Sequence, residues 1–161
     1  MRVAIALGSN LGDRRAHLGW AVRELSRIIR HLTVSELLET KPVGEGLEHD
    51  PDFLNAVAVG ECDLPPAALV RALLDMEGRC GRRRPYPNAP RTLDLDLILA
   101  DDLVVDEPGV QVPHPRFRER QFVLEPLASV APAMIDPLTG LTAAELLERL
   151  QTRRGAREGA S

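Results

Sequence analysis

Two aspartates separated by a single residue are the best candidates in this sequence for holding a metal ion. They lie in an apolar stretch, Leu93–Leu99, whose composition predicts a strand. Side chains alternate across a strand, so Asp94 and Asp96 share one face, with Cα atoms ~6.7 Å apart at ~3.3 Å per residue. Mg²⁺ uses one or two protein carboxylates together with waters and phosphate oxygens, and it would neutralise their repulsion. The alternative is a solvated sheet face, whereas Leu93, Leu95 and Leu97 on the other face must be core.

A basic segment leads directly into this strand. Residues 79–91 include five Arg and no acidic residue, in a chain whose formal net charge is -4. Guanidinium groups pair bidentately with phosphate oxygens, so this segment and the carboxylates together would form a site for a polyphosphate with Mg²⁺. Its three Pro and one Gly predict a loop over residues 81–91 that closes over a substrate. Taken alone, the loop is also compatible with simple solvation or with docking to an acidic partner.

His114 is rigidly presented because it lies between two prolines. Arg116, Arg118 and Arg120 follow it and add positive charge. A single His is more often structural than functional, but these neighbours make His114 a candidate for contact with a phosphate.

Phe53 and Asn55 place a ring and an amide where a loop enters an apolar strand. A buried Asn side chain is costly without a hydrogen-bond partner. Asn55 is therefore either a ligand-binding group or a residue that caps the turn.

The composition is that of one globular domain. The chain has 161 residues, of which 44% are hydrophobic and 27% charged, and we expect one domain over residues 1–151 with a flexible tail over residues 152–161. Its five aromatic rings are too few for a protein that binds RNA or single-stranded DNA by stacking. Lys41, the one Lys, precedes a Pro rather than following a Gly-rich stretch, which excludes a P-loop.

Other features favour a cytoplasmic protein without a membrane partner, and a monomer is the default expectation. Cys62 and Cys80 have no CxxC spacing, so we expect ordinary buried thiols rather than a disulfide or a zinc site. The apolar run at the N-terminus is too short for a signal peptide, and no run of ~18 apolar residues occurs.

Hydrophobic patterns predict the element order β-α-β-β-α-β, with strands over Val3–Leu7, 33–40, Asn55–Val59 and Leu93–Leu99. The helices are expected over Leu18–Leu32 and from Pro65–Pro66 to about Arg79, with a loop over Lys41–Asp52 between the second and third strands. A further helix is expected from Thr142, whose spacing to Glu145 fits a capping box. This order predicts a ferredoxin-like α+β sandwich with both helices on one face of an antiparallel sheet, plus a C-terminal extension with one helix.

Taken in chain order, the motifs resemble those of the 6-hydroxymethyl-7,8-dihydropterin pyrophosphokinase family of folate biosynthesis. They are Ala6–Asp13 (ALGSNLGD), Phe53–Ala56 (FLNA), Gly81–Arg82, Pro90–Asp96 (PRTLDLD), and Val112–Pro115 (VPHP) with Phe122–Leu127 (FVLEPL). The match spans about residues 3–150, and the PRTLDLD block with its spacing to VPHP is highly specific. The resemblance implies transfer of pyrophosphate from MgATP to the pterin hydroxymethyl group, with release of AMP, on a ferredoxin-like fold.

The same resemblance implies residue roles. Asp94 and Asp96 would hold two Mg²⁺ ions that bridge the ATP phosphates. Phosphate contacts are implied for Arg82, Arg91, His114 and Arg120, and Glu77 and Arg84 would lie along the nucleotide site. The pterin would lie between Phe53 and Phe122, hydrogen-bonded by Asn55 and by backbone groups near Thr40 and Val43. The catalytic set would be Arg82, Arg91, Asp94, Asp96 and His114, with loops 41–52 and 81–91 closing over both substrates.

Two other functions stay open from the residues alone. A ferredoxin-like module could use the Arg-rich loop to bind nucleic acid or another polyanion, with strong salt dependence and no need for Mg²⁺. The net acidity and the scarcity of rings count against that function. The other is a different Mg²⁺-dependent phosphotransferase, against which only Phe53, Asn55 and Phe122 argue.

Overall fold

A computed structural model describes residues 1–41, 52–81 and 92–159. The strands are β1 Arg2–Ser9, β2 Ile29–Val34, β3 Leu38–Thr40, β4 Phe53–Cys62, β5 Asp94–Ala100, β6 Val105–Glu107 and β7 Val110–Val112. The helices are α1 Arg14–Leu25, α2 Pro66–Arg79, α3 Gln121–Val130 and α4 Ala143–Gly159, with a 3-10 turn over Phe117–Glu119. Within these ranges no helix combines the length and the apolar character needed to cross a membrane.

The main sheet is antiparallel, in the order β2-β4-β1-β5, and β3 also pairs with β4. β1 lies between β4 and β5 and is apolar on both faces, which explains its almost complete burial. β6 and β7 form a separate hairpin. The predicted α+β sandwich, with helices packed on an antiparallel sheet, is confirmed.

α1 and α2 cover one face of the sheet, as predicted. Residues three or four apart in the chain form the buried stripe of each helix: Leu18, Ala21 and Leu25 on α1, and Leu69, Leu73 and Met76 on α2. They pack against Val3, Ile5 and Leu7 of β1. α2 begins at Pro66, where a proline is tolerated because the first turn needs no N–H donor. Cys62 and Cys80 contribute to this core as free thiols.

The opposite face carries two further helices, which corrects the prediction of a single helix in the C-terminal extension. α3 was not expected because Pro126 lies inside it, where a proline removes a helical hydrogen bond. The helix is held by tertiary packing, since Val123, Leu124 and Leu127 lie in one core with Val57 and Val59 of β4. The sheet is therefore the middle layer of three.

α4 has the predicted capping box. The Thr142 hydroxyl accepts the Glu145 N–H at 3.2 Å, and Glu145 Oε1 accepts the Thr142 N–H at 3.1 Å. The helix continues to Gly159, past the end expected at residue 151. The flexibility of residues 152–161 stays a prediction.

α1 ends at Leu25, so the prediction of a helix to Leu32 was wrong. The Ser26 N–H donates the last i→i−4 bond, to the Val22 carbonyl at 3.0 Å, and the Arg27 and Ile28 N–H groups then donate to carbonyls only three residues back, as a helix end tightens. Ile29 then opens β2, where it pairs with Cys62 of β4. The apolar residues of β2 happen to continue the three-to-four spacing of the helix, and pairing with a distant strand decides their conformation.

Candidate active site

Three neighbouring strands place a row of residues across one end of the sheet. Gly8 of β1 pairs with Asn55 of β4 on one side and with Asp94 of β5 on the other. Ala6 likewise lies between Val57 and Asp96. Directly paired residues project to the same face, so both carboxylates and the Asn55 amide lie on the face that carries α3 and α4. With strands ~4.8 Å apart, about 10 Å separates the backbones of Asn55 and Asp94.

Asp94 and Asp96 are half-buried, and they occupy the face predicted for them. Leu93, Leu95 and Leu97 are buried in the core under α1 and α2, which confirms the predicted division of β5. The carboxylates have only Gly8 and Ala6 as neighbours on β1. Such small neighbours leave room above the strand for a ligand.

The donor set fits Mg²⁺ bound with a polyphosphate. Within the described part of the chain, no three His, Cys, Asp or Glu side chains are grouped as metal ligands, as a structural zinc site would require. Two carboxylates on a rigid strand are the number that Mg²⁺ takes from a protein when waters and phosphate oxygens complete its shell.

A bulge in β5 anchors the His114 segment to the carboxylate strand. Ile5 pairs with Leu97 and Ala4 with Leu99, so Ile98 has no partner on β1. Its carbonyl accepts the His114 N–H at 2.9 Å instead. A bulged residue is left out of the ladder, and here its carbonyl binds the segment that carries His114.

His114 lies within electrostatic range of two other predicted site residues. Burial is the main cause that lowers its pKa, positive Arg120 and Arg116 lower it further, and Asp94 opposes them. His114 Nδ1 accepts the Arg116 N–H at 3.1 Å. The neutral ring therefore carries its proton on Nε2, which is available to donate to a phosphate oxygen. The structure thus places Asp94 and Arg120 within electrostatic range of His114.

The lowered pKa of His114 predicts a loss of stability in mild acid. Below about pH 6.5, the ordinary value for His, the unfolded chain binds a proton that the folded chain resists. The free energy of unfolding should therefore fall as the pH drops from 6.5 through the lower folded pKa. The His114→Asn protein should lack this part of the pH dependence of the free energy of unfolding. Urea unfolding of both proteins between pH 8 and pH 5 measures it, and a difference between them that does not change with pH would contradict the prediction.

Arg118 does not add to the positive charge near His114 as the sequence suggested. Its Nε and a terminal nitrogen donate to the two carboxylate oxygens of Asp136, at 2.6 and 2.9 Å. Asp136 is fully buried and also accepts the Thr139 hydroxyl at 2.7 Å and the Leu138 N–H at 3.1 Å. Asp136 was missed by sequence reasoning, because nothing in its local pattern marks its partner 18 residues away.

Thr40, Phe53 and Asn55 come together where β3 meets β4. Thr40 pairs with Phe53, and Asn55 Nδ2 donates to the Thr40 hydroxyl at 2.7 Å, which supplies the partner that a buried Asn needs. A Cβ placed on Gly8 would lie 3.2 Å from Asn55 Oδ1 and 3.7 Å from the Phe53 ring. The absence of a side chain at Gly8 therefore leaves open the space above β1 beside Asn55 and Phe53. Sequence reasoning missed this role.

Phe122 lies on the same side of the sheet, at the start of α3. α3 packs on β4, so the Phe122 segment covers the face from which Asn55 projects. The Arg120 guanidinium lies over the Phe122 ring, 5.7 Å from its centroid. Arg120 thus links the ring proposed for the pterin to the His114 segment proposed for the phosphates.

Glu77 is buried, with only 2% of its surface exposed. Its Oε2 accepts the Leu95 N–H at 2.8 Å, so this carboxylate contacts the backbone between Asp94 and Asp96. The other residues of the expected site, Val43, Arg82, Arg84 and Arg91, lie outside the described residues.

Comparisons with known proteins agree on one family. The family model of 7,8-dihydro-6-hydroxymethylpterin-pyrophosphokinase (HPPK) matches residues 4–132. A 2-amino-4-hydroxy-6-hydroxymethyldihydropteridine pyrophosphokinase of Pseudomonas aeruginosa is 40% identical, over 81% of this chain and 81% of its own length. The folic acid synthesis protein fol1 of Schizosaccharomyces pombe is 35% identical over 92% of this chain, which spans only 20% of that relative.

A solved structure shows the same fold. The wild-type Plasmodium falciparum HPPK-DHPS with SDX-DHP superposes with a TM-score of 0.71 and 12% identity, over 98% of this chain and 45% of that chain. At this identity the likeness concerns the fold alone.

Proposed function

The chain belongs to the 7,8-dihydro-6-hydroxymethylpterin-pyrophosphokinase family, and from this premise we propose that it transfers pyrophosphate from ATP to 6-hydroxymethyl-7,8-dihydropterin, releasing AMP. The observation that carries the proposal is the row across β4, β1 and β5. It places Asn55 at one end and the carboxylates, with His114 and Arg120 near them, at the other. The reaction would serve folate biosynthesis, in a cytoplasmic and monomeric protein.

The β5 end of the row would hold the polyphosphate. Asp94 and Asp96 would bind two Mg²⁺ ions, which when bound neutralise phosphate charge and favour loss of the proton of the attacking hydroxyl. His114 would donate its Nε2 proton to a phosphate oxygen, and Arg120 would supply a fixed positive charge. Arg82, Arg84 and Arg91 belong to the proposed nucleotide site through the motif resemblance.

The β4 end of the row would hold the pterin. Phe53 and Phe122 would contact the two faces of the flat bicycle, since aromatic rings pack well in offset stacks. The carbonyl Oδ1 of Asn55 is an acceptor suited to the N–H groups of a pterin, since Nδ2 already donates a hydrogen bond to the Thr40 hydroxyl. Gly8 leaves the space above β1 open for the ring.

In the proposed reaction the pterin hydroxyl oxygen bonds to the β-phosphorus of ATP, and the bond from that phosphorus to the oxygen shared with the α-phosphate breaks. The hydroxyl proton is lost to solvent, and AMP leaves with the bridging oxygen. Such transfers depend on in-line placement and on countercharge rather than on covalent help. A row that holds the two substrates on one rigid sheet supplies the placement.

The decisive assay incubates the protein with ATP, Mg²⁺ and 6-hydroxymethyl-7,8-dihydropterin and measures AMP. We expect AMP and the pterin diphosphate in equal amounts, and no AMP when the pterin is omitted. ADP as the nucleotide product would indicate a different phosphotransferase. Salt-sensitive binding of single-stranded DNA without Mg²⁺, together with no AMP, would indicate the polyanion-binding module.

Gly8→Ala should weaken pterin binding and leave the KM for ATP unchanged. The added methyl would lie 3.2 Å from Asn55 Oδ1 and 3.7 Å from the Phe53 ring, in the space proposed for the pterin. One extra methyl group in a fitted pocket costs about 10-fold or more, so the KM for the pterin should rise by about that factor. Gly19→Ala on α1 is the control, because among the described residues its Cβ would meet the end of the Arg23 side chain alone, at 3.6 Å. An unchanged pterin KM would contradict the proposed position of the ring.

A further inference from the structure

β5 is an edge strand of the sheet, and it carries both carboxylates. Among the described strands it pairs only with β1, so backbone groups that point away from β1 need partners from elsewhere. An unpaired backbone N–H in a buried position costs about as much as a lost hydrogen bond. The Leu95 N–H is such a group.

Glu77 supplies the partner for this N–H. Its side chain reaches from α2, and Oε2 accepts the Leu95 N–H at 2.8 Å in a buried setting. Leu95 lies between Asp94 and Asp96, and the peptide plane that carries its N–H also carries the Asp94 carbonyl. This hydrogen bond, together with the ladder to β1 on the other side, therefore fixes how the backbone of the carboxylate pair is rotated.

A second contact fixes the same segment from β1. The Ser9 hydroxyl donates to the Thr92 carbonyl at 2.5 Å, and Ser9 is fully buried. The backbone is thus held at Thr92 on one side of Asp94 and at Leu95 on the other. A two-point attachment of this kind restricts rotation of the strand where its first carboxylate projects.

We propose that Glu77 is a positioning residue, which orients Asp94 and Asp96 for Mg²⁺ and polyphosphate through the Leu95 N–H. The inference deepens the proposed function and rests on it for the identity of the ligand. It differs from the role implied by the motif resemblance, in which Glu77 lies along the nucleotide. The 2% exposure of Glu77 and its bond to the strand support an indirect action.

Two substitutions separate the acceptor from the rest of the side chain. Glu77→Gln keeps a carbonyl oxygen that accepts the Leu95 N–H, whereas Glu77→Met keeps the approximate length and removes the acceptor. Asp75→Asn on the exposed side of α2 is the control for loss of a negative charge, since Asp75 pairs with Arg79 at the surface. Thermal unfolding of all four proteins shows whether each remains folded.

The first measurement is amide hydrogen exchange at Leu95, with Ile5 of β1 as an internal reference for global stability. We expect Glu77→Met to lose protection at Leu95 well beyond any change at Ile5, and Glu77→Gln to retain it. The second measurement is Mn²⁺ affinity in the presence of a non-hydrolysable ATP analogue. It should fall about 10-fold or more in Glu77→Met and change by less than about threefold in Glu77→Gln, because loss of a group that orients metal ligands costs about 10–100-fold in metal affinity.

Turnover completes the test. Glu77→Met should lower kcat more than the KM for ATP, and Glu77→Gln should restore kcat. Unchanged exchange at Leu95 in Glu77→Met, or unchanged Mn²⁺ affinity, would overturn the proposal. A rise in the KM for ATP of equal size in both variants, with Leu95 still protected, would assign Glu77 to the nucleotide instead. If the unsubstituted protein forms no AMP, the proposed function fails, while amide exchange and Mn²⁺ binding still test the role of Glu77.

Discussion

Replacing Asp94 or Asp96 with Ala is expected to lower pterin-dependent AMP formation by about 1000-fold or more while the protein stays folded. Each tenfold in rate corresponds to about 1.4 kcal/mol, and stabilisation of phosphate charge by bound metal contributes several kcal/mol. Both side chains project from β5 on the face opposite Leu93, Leu95 and Leu97. Their removal therefore takes nothing from the core under α1 and α2.

The measurement is kcat at saturating ATP and pterin over a range of Mg²⁺ concentrations. Asp102→Ala is a matched control, because Asp102 is an exposed carboxylate just beyond the end of the same strand. Circular dichroism and thermal unfolding should show each variant folded. Near-normal turnover in either Asp94→Ala or Asp96→Ala would remove the metal assignment.

Asp136→Ala should destabilise the protein by about 3–5 kcal/mol, the range measured when one partner of a buried ion pair is removed. Asp136 is fully buried and holds the Arg118 guanidinium through two hydrogen bonds. Without it, Arg118 keeps a half-buried positive charge with no counter-ion at that position. The Thr139 hydroxyl and the Leu138 N–H lose their acceptor as well.

Urea unfolding at pH 7 measures this loss. Asp63→Ala is the control, because it breaks the exposed ion pair with Arg30, and exposed pairs contribute about 0–1 kcal/mol. Burial raises the pKa of Asp136, but the hydrogen bonds from Arg118, Thr139 and Leu138 outweigh it and hold the pKa below its ordinary value. The stabilisation is therefore present above about pH 4 and lost as the pH falls through the lower folded pKa. An Asp136→Ala protein within 1 kcal/mol of the Asp63→Ala control at pH 7 would contradict the prediction.

The sequence was most informative where a local pattern coincides with what packing demands. The alternation in β5 predicted which face of the strand is core, because each Leu there must be buried and each Asp must not. α2 was predicted well because its proline start and its apolar stripe agree with each other. The Thr142–Glu145 capping box is also a purely local device, and the structure contains it.

Sequence reasoning failed where tertiary contacts override a local pattern. Ile29 and Leu32 continue the helical spacing of α1, yet they lie in β2, which forms because it pairs with β4. Pro126 opposes a helix locally, but the packing of Val123, Leu124 and Leu127 on the sheet outweighs that cost. Such outcomes depend on partners that are distant in the chain, which spacing alone does not identify.

The same limit explains which contacts of the candidate site were not predicted. Glu77 meets Leu95 across 18 residues, and Gly8 matters only because β4 brings Asn55 beside it. Motif order predicted which side chains touch substrates, and those roles stay predictions. The groups that hold those side chains in place became visible only with the strand register.

The position of β1 between β4 and β5 divides the proposed chemistry between two segments of the chain. Groups proposed for the pterin come mainly from residues 40–55, and groups described for the phosphates come from residues 94–120, with Gly8 of β1 between them. Substitutions in one segment can therefore change acceptor preference without rebuilding the other. The proposed site is therefore modular for protein engineering, since a library confined to β3 and the start of β4 would vary the proposed acceptor site and leave the residues proposed for the phosphates unchanged.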